Sequence, residues 1–209
     1  MHPNNLRERK KARTRDALAT AAADLFAAKG FDATTTEEIA READVSPRTF
    51  FRYYPTKESI AFPRVEERLQ AFRERLSRRR PGESGISTVG RALLSLATIF
   101  AEQAEEALAQ HQLIQTAPSL LAQERLIDLR WEEVIAEGLL AADDPTSSGS
   151  LPREREARIL AGTIMGLARS ILREWFASQC RLDLVALGTS SLDLISSIDP
   201  IPPTGDPRP

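Results

Sequence analysis

The chain has 209 residues, of which 42% are hydrophobic and 28% charged, with a formal net charge of −2. These proportions are those of an ordinary soluble globular protein and exclude whole-chain disorder, and the length suits one substantial core or a small domain joined to a larger one. The single Cys180 excludes an internal disulfide. The longest apolar stretch, Ile159 to Ala168, is about half the roughly 20 residues needed to span a bilayer, so a reducing, cytoplasmic location is expected.

Charge is unevenly distributed. Residues 1–57 carry 11 Lys/Arg against 8 Asp/Glu, which leaves a balance of −5 for the remainder. At the basic end, Arg7, Arg9, Lys10, Lys11, Arg13 and Arg15 are opposed only by Glu8. Residues that catalysis needs are scarce: the histidines are His2 and His111, and there is no GxGxxG, GxxxxGK[ST] or CxxC pattern. The chain is therefore read as non-enzymatic, with no cofactor and no metal.

In chain order the elements read as helices, and the fold class as all-α. Leu18, Ala21, Ala22, Leu25 and Phe26 share one face of a helix from Thr14 to Lys29, which Gly30 ends. Thr35 with Glu38 makes a capping box for a second helix that buries Ile39, Ala40 and Ala43. Asp44 and Val45 turn the chain, Ser46 caps, and Pro47 suits the first position of a third helix that Pro55 stops. Thr56 caps a fourth, read from Lys57 through Leu76 with a bend near Pro63.

A longer helix followed by two short ones across a tight turn is a helix-turn-helix unit. In the third helix Phe50 and Tyr54 form one row, while Arg48 with Arg52 and Thr49 with Tyr53 lie on the far side. The aromatic row would fix the helix to its domain. The outward guanidinium forks, hydroxyl and phenol suit base edges and phosphate oxygens in a major groove.

The stretch ATAAADLFAAKGFDATTTEEIAREADVSPRTFFRYYPTKESI, Ala19 to Ile60, resembles the DNA-binding domain of the TetR family of bacterial transcriptional regulators. Its glycine, threonine pair, turn, Thr-aromatic-aromatic and Pro-x-Lys occur in that family's order. The resemblance implies phosphate contacts from Thr36, Thr49, Tyr53 and Lys57 and base contacts from Arg48 and Arg52. Phe51 stands where many members have Tyr and is expected to pack on sugar and backbone, and Glu37 stands where some members have a cation. One short helix reads only a few base pairs, so a homodimer on a palindromic double-stranded operator follows. The family's habit implies repression.

The body is expected to sense a ligand and to dimerise. Arg80 to Gly85 reads as a loop, Ile86 to Leu108 as a helix, and Gln110 to Leu140 as one or two more, interrupted at Pro118. Residues 142–152 read as a flexible loop, Arg153 to Gln179 and Leu182 to Ile198 as two last helices, and the proline-rich residues 200–209 as a disordered tail. The domains are thus 1–62 for DNA, 63–199 for effector and dimer contact, and 200–209. Gly162 and Gly166 form a small-xxx-small face that fits either packing within the subunit or packing across the dimer. The family resemblance places the dimer contact within 153–198.

Candidate ligand contacts are Phe100, His111, Gln115, Trp131, Met165 and Arg169, with Leu113, Leu121 and Ile135 beside them, on helices that can enclose an apolar cavity. The segment HQLIQTAPSLLAQERLIDLRWEEVIAEGL resembles the sensor region of members associated with fatty-acyl or other lipophilic effectors, an effector that would release the operator. The rival reading is an all-helical protein-interaction module without specific DNA binding, which the cationic arm feeding a helix-turn-helix opposes.

Overall fold

The structure is a computed structural model that describes residues 3–141 and 152–196. Among the described residues there are ten helices and no strand: α1 Pro3–Lys29, α2 Thr36–Glu42, α3 Pro47–Tyr53, α4 Lys57–Ile60, α5 Val65–Ser77, α6 Gly85–Glu102, α7 Ala104–Ile114, α8 Pro118–Leu140, α9 Arg153–Ala177 and α10 Leu184–Ser196. No helix among them is long and apolar enough to cross a membrane. Of the loop expected at 142–152, residues 142–151 lie outside the described residues, as does the tail expected at 200–209.

Three elements differ from the reading of the sequence. The first begins at Pro3 rather than Thr14, so the basic arm is itself helical. Nothing between Pro3 and Gly30 breaks a helix, Pro is tolerated in a first turn, and the arm consists largely of straight-chain helix formers. The element expected from Lys57 through Leu76 is two helices, with Ala61 to Arg64 between α4 and α5. Pro63 has no N–H to give and would set its ring against the Ser59 carbonyl, so the chain breaks rather than bends.

A further break falls at Gln103, between α6 and α7, where Ile86 to Leu108 had read as one helix. There the Gln103 N–H returns to the Phe100 carbonyl at 3.1 Å, a tightened last turn. No glycine or proline marks that position.

The local punctuation elsewhere forms as the residue types require. Gly30 adopts φ 84°, and a Cβ there would meet nothing within 4 Å, so its backbone conformation, rather than space, favours glycine. The Thr35 hydroxyl accepts the Glu38 N–H at 3.2 Å while the Glu38 carboxylate accepts the Thr35 N–H at 2.9 Å. Lys29 reaches the same carboxylate at 2.6 Å, and its hydrogen bond is the chief cause holding the Glu38 carboxyl down to about 2. Ser46 accepts the Thr49 N–H at 3.2 Å to start α3.

Three apolar cores result. The first holds Leu18, Phe26, Phe31, Ile39, Phe50 and Tyr54 of the head, and also Ile114, Ala117 and Leu120 from the α7–α8 elbow. The head's interior is therefore closed by residues more than 50 positions beyond its last helix-turn-helix residue. The second joins α5, α6, α8 and α9 through Leu69, Phe72, Val89, Val134, Ile135 and Ala161. At Gly138 an added Cβ would come within 2.7 Å of the Leu76 side chain, so the missing side chain lets α5 and α8 approach. The third centres on Trp175, whose indole N–H donates to the Leu182 carbonyl at 3.1 Å.

Candidate nucleic-acid interface and effector cavity

The reading surface is set by what α3 buries. Phe50 is fully buried and Tyr54 is 5% exposed, with ring centroids 6.0 Å apart, and the Tyr54 hydroxyl donates to the Arg15 carbonyl at 3.4 Å. Burial pushes the Tyr54 phenol up to about 12, so it stays a donor. With that row inward, Arg48 and Arg52 are exposed and Thr49 and Tyr53 half-buried. The Arg52 guanidinium lies 5.2 Å from the centroid of the Tyr53 ring, a contact that restrains it without neutralising it. Phe51 is 48% exposed and edge-on to Phe50 at 5.2 Å.

Other members of the expected contact set have partners within the chain. The Thr36 hydroxyl donates to the Glu37 carboxylate at 3.2 Å. Lys57 donates to the carbonyls of Phe31 at 3.0 Å and Thr34 at 3.1 Å, and its ammonium sits 4.2 Å over the Phe31 ring. Of its three N–H donors, one is left for a phosphate. Within the basic arm, Arg15 pairs with Glu67 of α5 at 3.1 Å, while Arg9, Lys10, Lys11 and Arg13 are exposed.

Behind the head lies a cavity of about 1220 Å³, lined by residues of α1 and of α5 through α10. Phe100, His111, Leu113, Trp131 and Met165 all line it, as the sequence pattern leads one to expect. His111 stacks on Phe176 with centroids 4.1 Å apart, and burial lowers its pKa, so the ring is neutral near pH 7.

Two expected ligand contacts lie off the wall. Gln115 is the exposed C-cap of α7, where the chain turns away toward Pro118. Arg169 is exposed and bridges α9 to α8 through Asp128 at 3.3 Å and Glu132 at 3.5 Å. Leu121 packs against the head core, and Ile135 is fully buried in the second core.

Two residues on the wall were not singled out from sequence. Gln110 donates its amide N–H to the Ala61 carbonyl at the end of α4, tying α7 to the head. Arg68 sits with its guanidinium 4.4 Å from the centroid of the Phe100 ring. It falls in the inward row Val65, Arg68, Leu69, Phe72, and a cation inside an apolar row is the signal that marks it.

A helix-turn-helix with two exposed arginines, set on a hollow helical body, defines a DNA reader coupled to a small-molecule chamber. The profile for bacterial regulatory proteins of the tetR family matches residues 18–62, and the profile for the MftR C-terminal domain matches residues 83–199. The chain is 31% identical over 202 residues to the HTH-type transcriptional regulator TcmR of Streptomyces glaucescens, covering 93% of this chain and 87% of that one. It is 26% identical over 185 residues to the fatty acid metabolism regulator protein of Bacillus subtilis (strain 168), covering 85% and 91%. Among solved structures it resembles FadR of Thermus thermophilus, a TetR family transcriptional repressor in complex with lauroyl-CoA. That match has a TM-score of 0.62 at 26% identity, over 92% of this chain and 99% of that one. FadR from Bacillus subtilis in complex with stearoyl-CoA shares the fold at a TM-score of 0.57 and 20% identity, over 87% and 97%. The chain belongs to the TetR family and is a DNA-binding transcriptional regulator.

Proposed function

We propose that the protein is a repressor that holds a palindromic operator as a homodimer and releases it when a lipophilic, acyl-chain effector enters the cavity, acting without catalysis of its own. Residues 1–62 are the DNA-binding head and 63–199 the effector and dimer body. Arg48 and Arg52 read bases, while Thr36, Thr49, Tyr53, the arm and the remaining donor of Lys57 position the backbone, with Phe51 against sugar. The observation that carries the coupling is the shared core. Ile114, Ala117 and Leu120 pack inside the head, and Gln110, His111 and Leu113 beside them line the cavity. Filling the cavity therefore acts on the elbow that closes the head, and shifts operator affinity by the ligand's preference for one head spacing over another. The lauroyl-CoA and stearoyl-CoA complexes of the two FadR structures favour an acyl chain.

The dimer contact centres on α9. An added Cβ at Gly166 would meet nothing within 4 Å, and at Gly162 only the Glu132 carboxylate at 3.9 Å, so packing inside the subunit does not require either glycine. Ile159 on the same face is 54% exposed, and Leu126 and Leu129 on α8 are 56% and 54% exposed. The test is selection of the full chain on random duplex DNA near physiological salt, followed by competition with acyl-CoA. An enriched inverted repeat that lauroyl-CoA releases is the expected result. No enriched sequence from a folded dimer would overturn the repressor reading.

A further inference from the structure

The cavity wall carries four Lys/Arg cations, and three have carboxylate partners: Arg15 with Glu67 at 3.1 Å, Lys29 with Glu38 at 2.6 Å, and Arg64 with Glu106 at 3.6 Å. Among the described residues Arg68 has no ion pair and no hydrogen bond from its guanidinium. Its close contact is the face of Phe100 at 4.4 Å. The half-buried guanidinium stays protonated, and Glu106 and Glu67 attract it only from beyond hydrogen-bond distance, so its planar fork engages no oxygen acceptor.

We propose that Arg68 is the anchor for a negatively charged head group, so that the cavity selects an anionic amphiphile: an acyl chain against the apolar wall and a carboxylate or phosphate oxygen on the guanidinium. The assignment rests on the cavity being the effector site. Burial is the first cause lowering the Arg68 pKa, which says that the charge is held against a desolvation cost an anion would offset. Of the carboxylates on the same wall, Glu67, Glu106 and Asp128 already have arginine partners, in Arg15, Arg64 and Arg169 respectively.

Both a free fatty acid and an acyl-CoA have the required chemistry, and calorimetry of the full chain with laurate, lauroyl-CoA and dodecanol separates them. In the native protein at least one of the two anions binds roughly tenfold more tightly than the alcohol, as expected for a charge-assisted bond. Which anion prevails identifies the source. In Arg68→Met the preference falls to about twofold or less while dodecanol affinity is unchanged, and Arg68→Gln, checked for native helicity, repeats the measurement if the first variant misfolds. An anion preference that survives in the variants, or dodecanol binding as tightly as both anions in the native protein, overturns the Arg68 assignment and leaves the acyl-chain cavity standing. Absence of binding by all three compounds overturns both.

Discussion

The head core and the cavity wall of the body use apolar residues in different ways. The head packs Leu18, Ile39 and Phe50, all fully buried, against the α7–α8 elbow. The body spreads Leu93, Phe100, Trp131 and Met165 around about 1220 Å³ of space. A close-packed core has few alternative arrangements and holds two arginines at a fixed spacing, whereas a hollow one can be refilled by something that is not protein. The contrast assigns rigidity to reading and adaptability to sensing, and each part of it can be tested.

The largest expected effect is on packing. Phe50→Ala should cost about 3–5 kcal/mol in denaturant unfolding and abolish operator binding, because the site is fully enclosed. Leu93→Ala on the half-buried cavity wall should cost about 1 kcal/mol. Equal costs would remove the distinction between a filled core and a hollow one.

The next effect is on recognition. Arg52→Ala should lose about 1–3 kcal/mol of discrimination at one base position per half-site, read from binding to a panel of operator variants, with nonspecific binding little changed. Lys57→Met sharpens the head's side of the comparison, because the ammonium holds the carbonyls of Phe31 and Thr34. Thermal unfolding should show a loss of about 1–2 kcal/mol for this partly exposed group. If melting is unchanged and only the salt dependence of DNA binding flattens, Lys57 is a phosphate contact first and a brace second.

A smaller effect probes the link between the regions. Gln110→Leu removes the bond from α7 to the Ala61 carbonyl, and should reduce effector-driven release of DNA by about fivefold, equivalent to about 1 kcal/mol of coupling, with free-state operator affinity nearly unchanged. The smallest concerns pH. The Glu38 carboxyl is lowered from 4.5 to about 2, so its stabilisation of the α2 cap is fully present above about 4.5 and is lost as pH falls toward about 2. The difference in helicity between the native chain and Glu38→Gln on acid titration should shrink across that window. A constant difference would mean that the cap does not depend on the charge.

The sequence by itself determined what neighbours within four residues decide. The Thr35–Glu38 box, the Ser46 cap, Pro47, the turn at Asp44 and Val45 and the inward pair Phe50 and Tyr54 each arise from a local hydrogen bond, turn or helical period, and all are legible in the residue types. The wall residues Phe100, His111, Trp131 and Met165 were likewise legible as apolar or aromatic positions on facing helices. Only the tertiary structure decided the break at Gln103, the closing of the head by Ile114 and Leu120, the removal of Gln115 and Arg169 from the cavity, and the placing of Arg68 within it. Those outcomes depend on the rotation and spacing of helices far apart in the chain, and a shift of one residue in either helix would turn a different side chain toward the space between them.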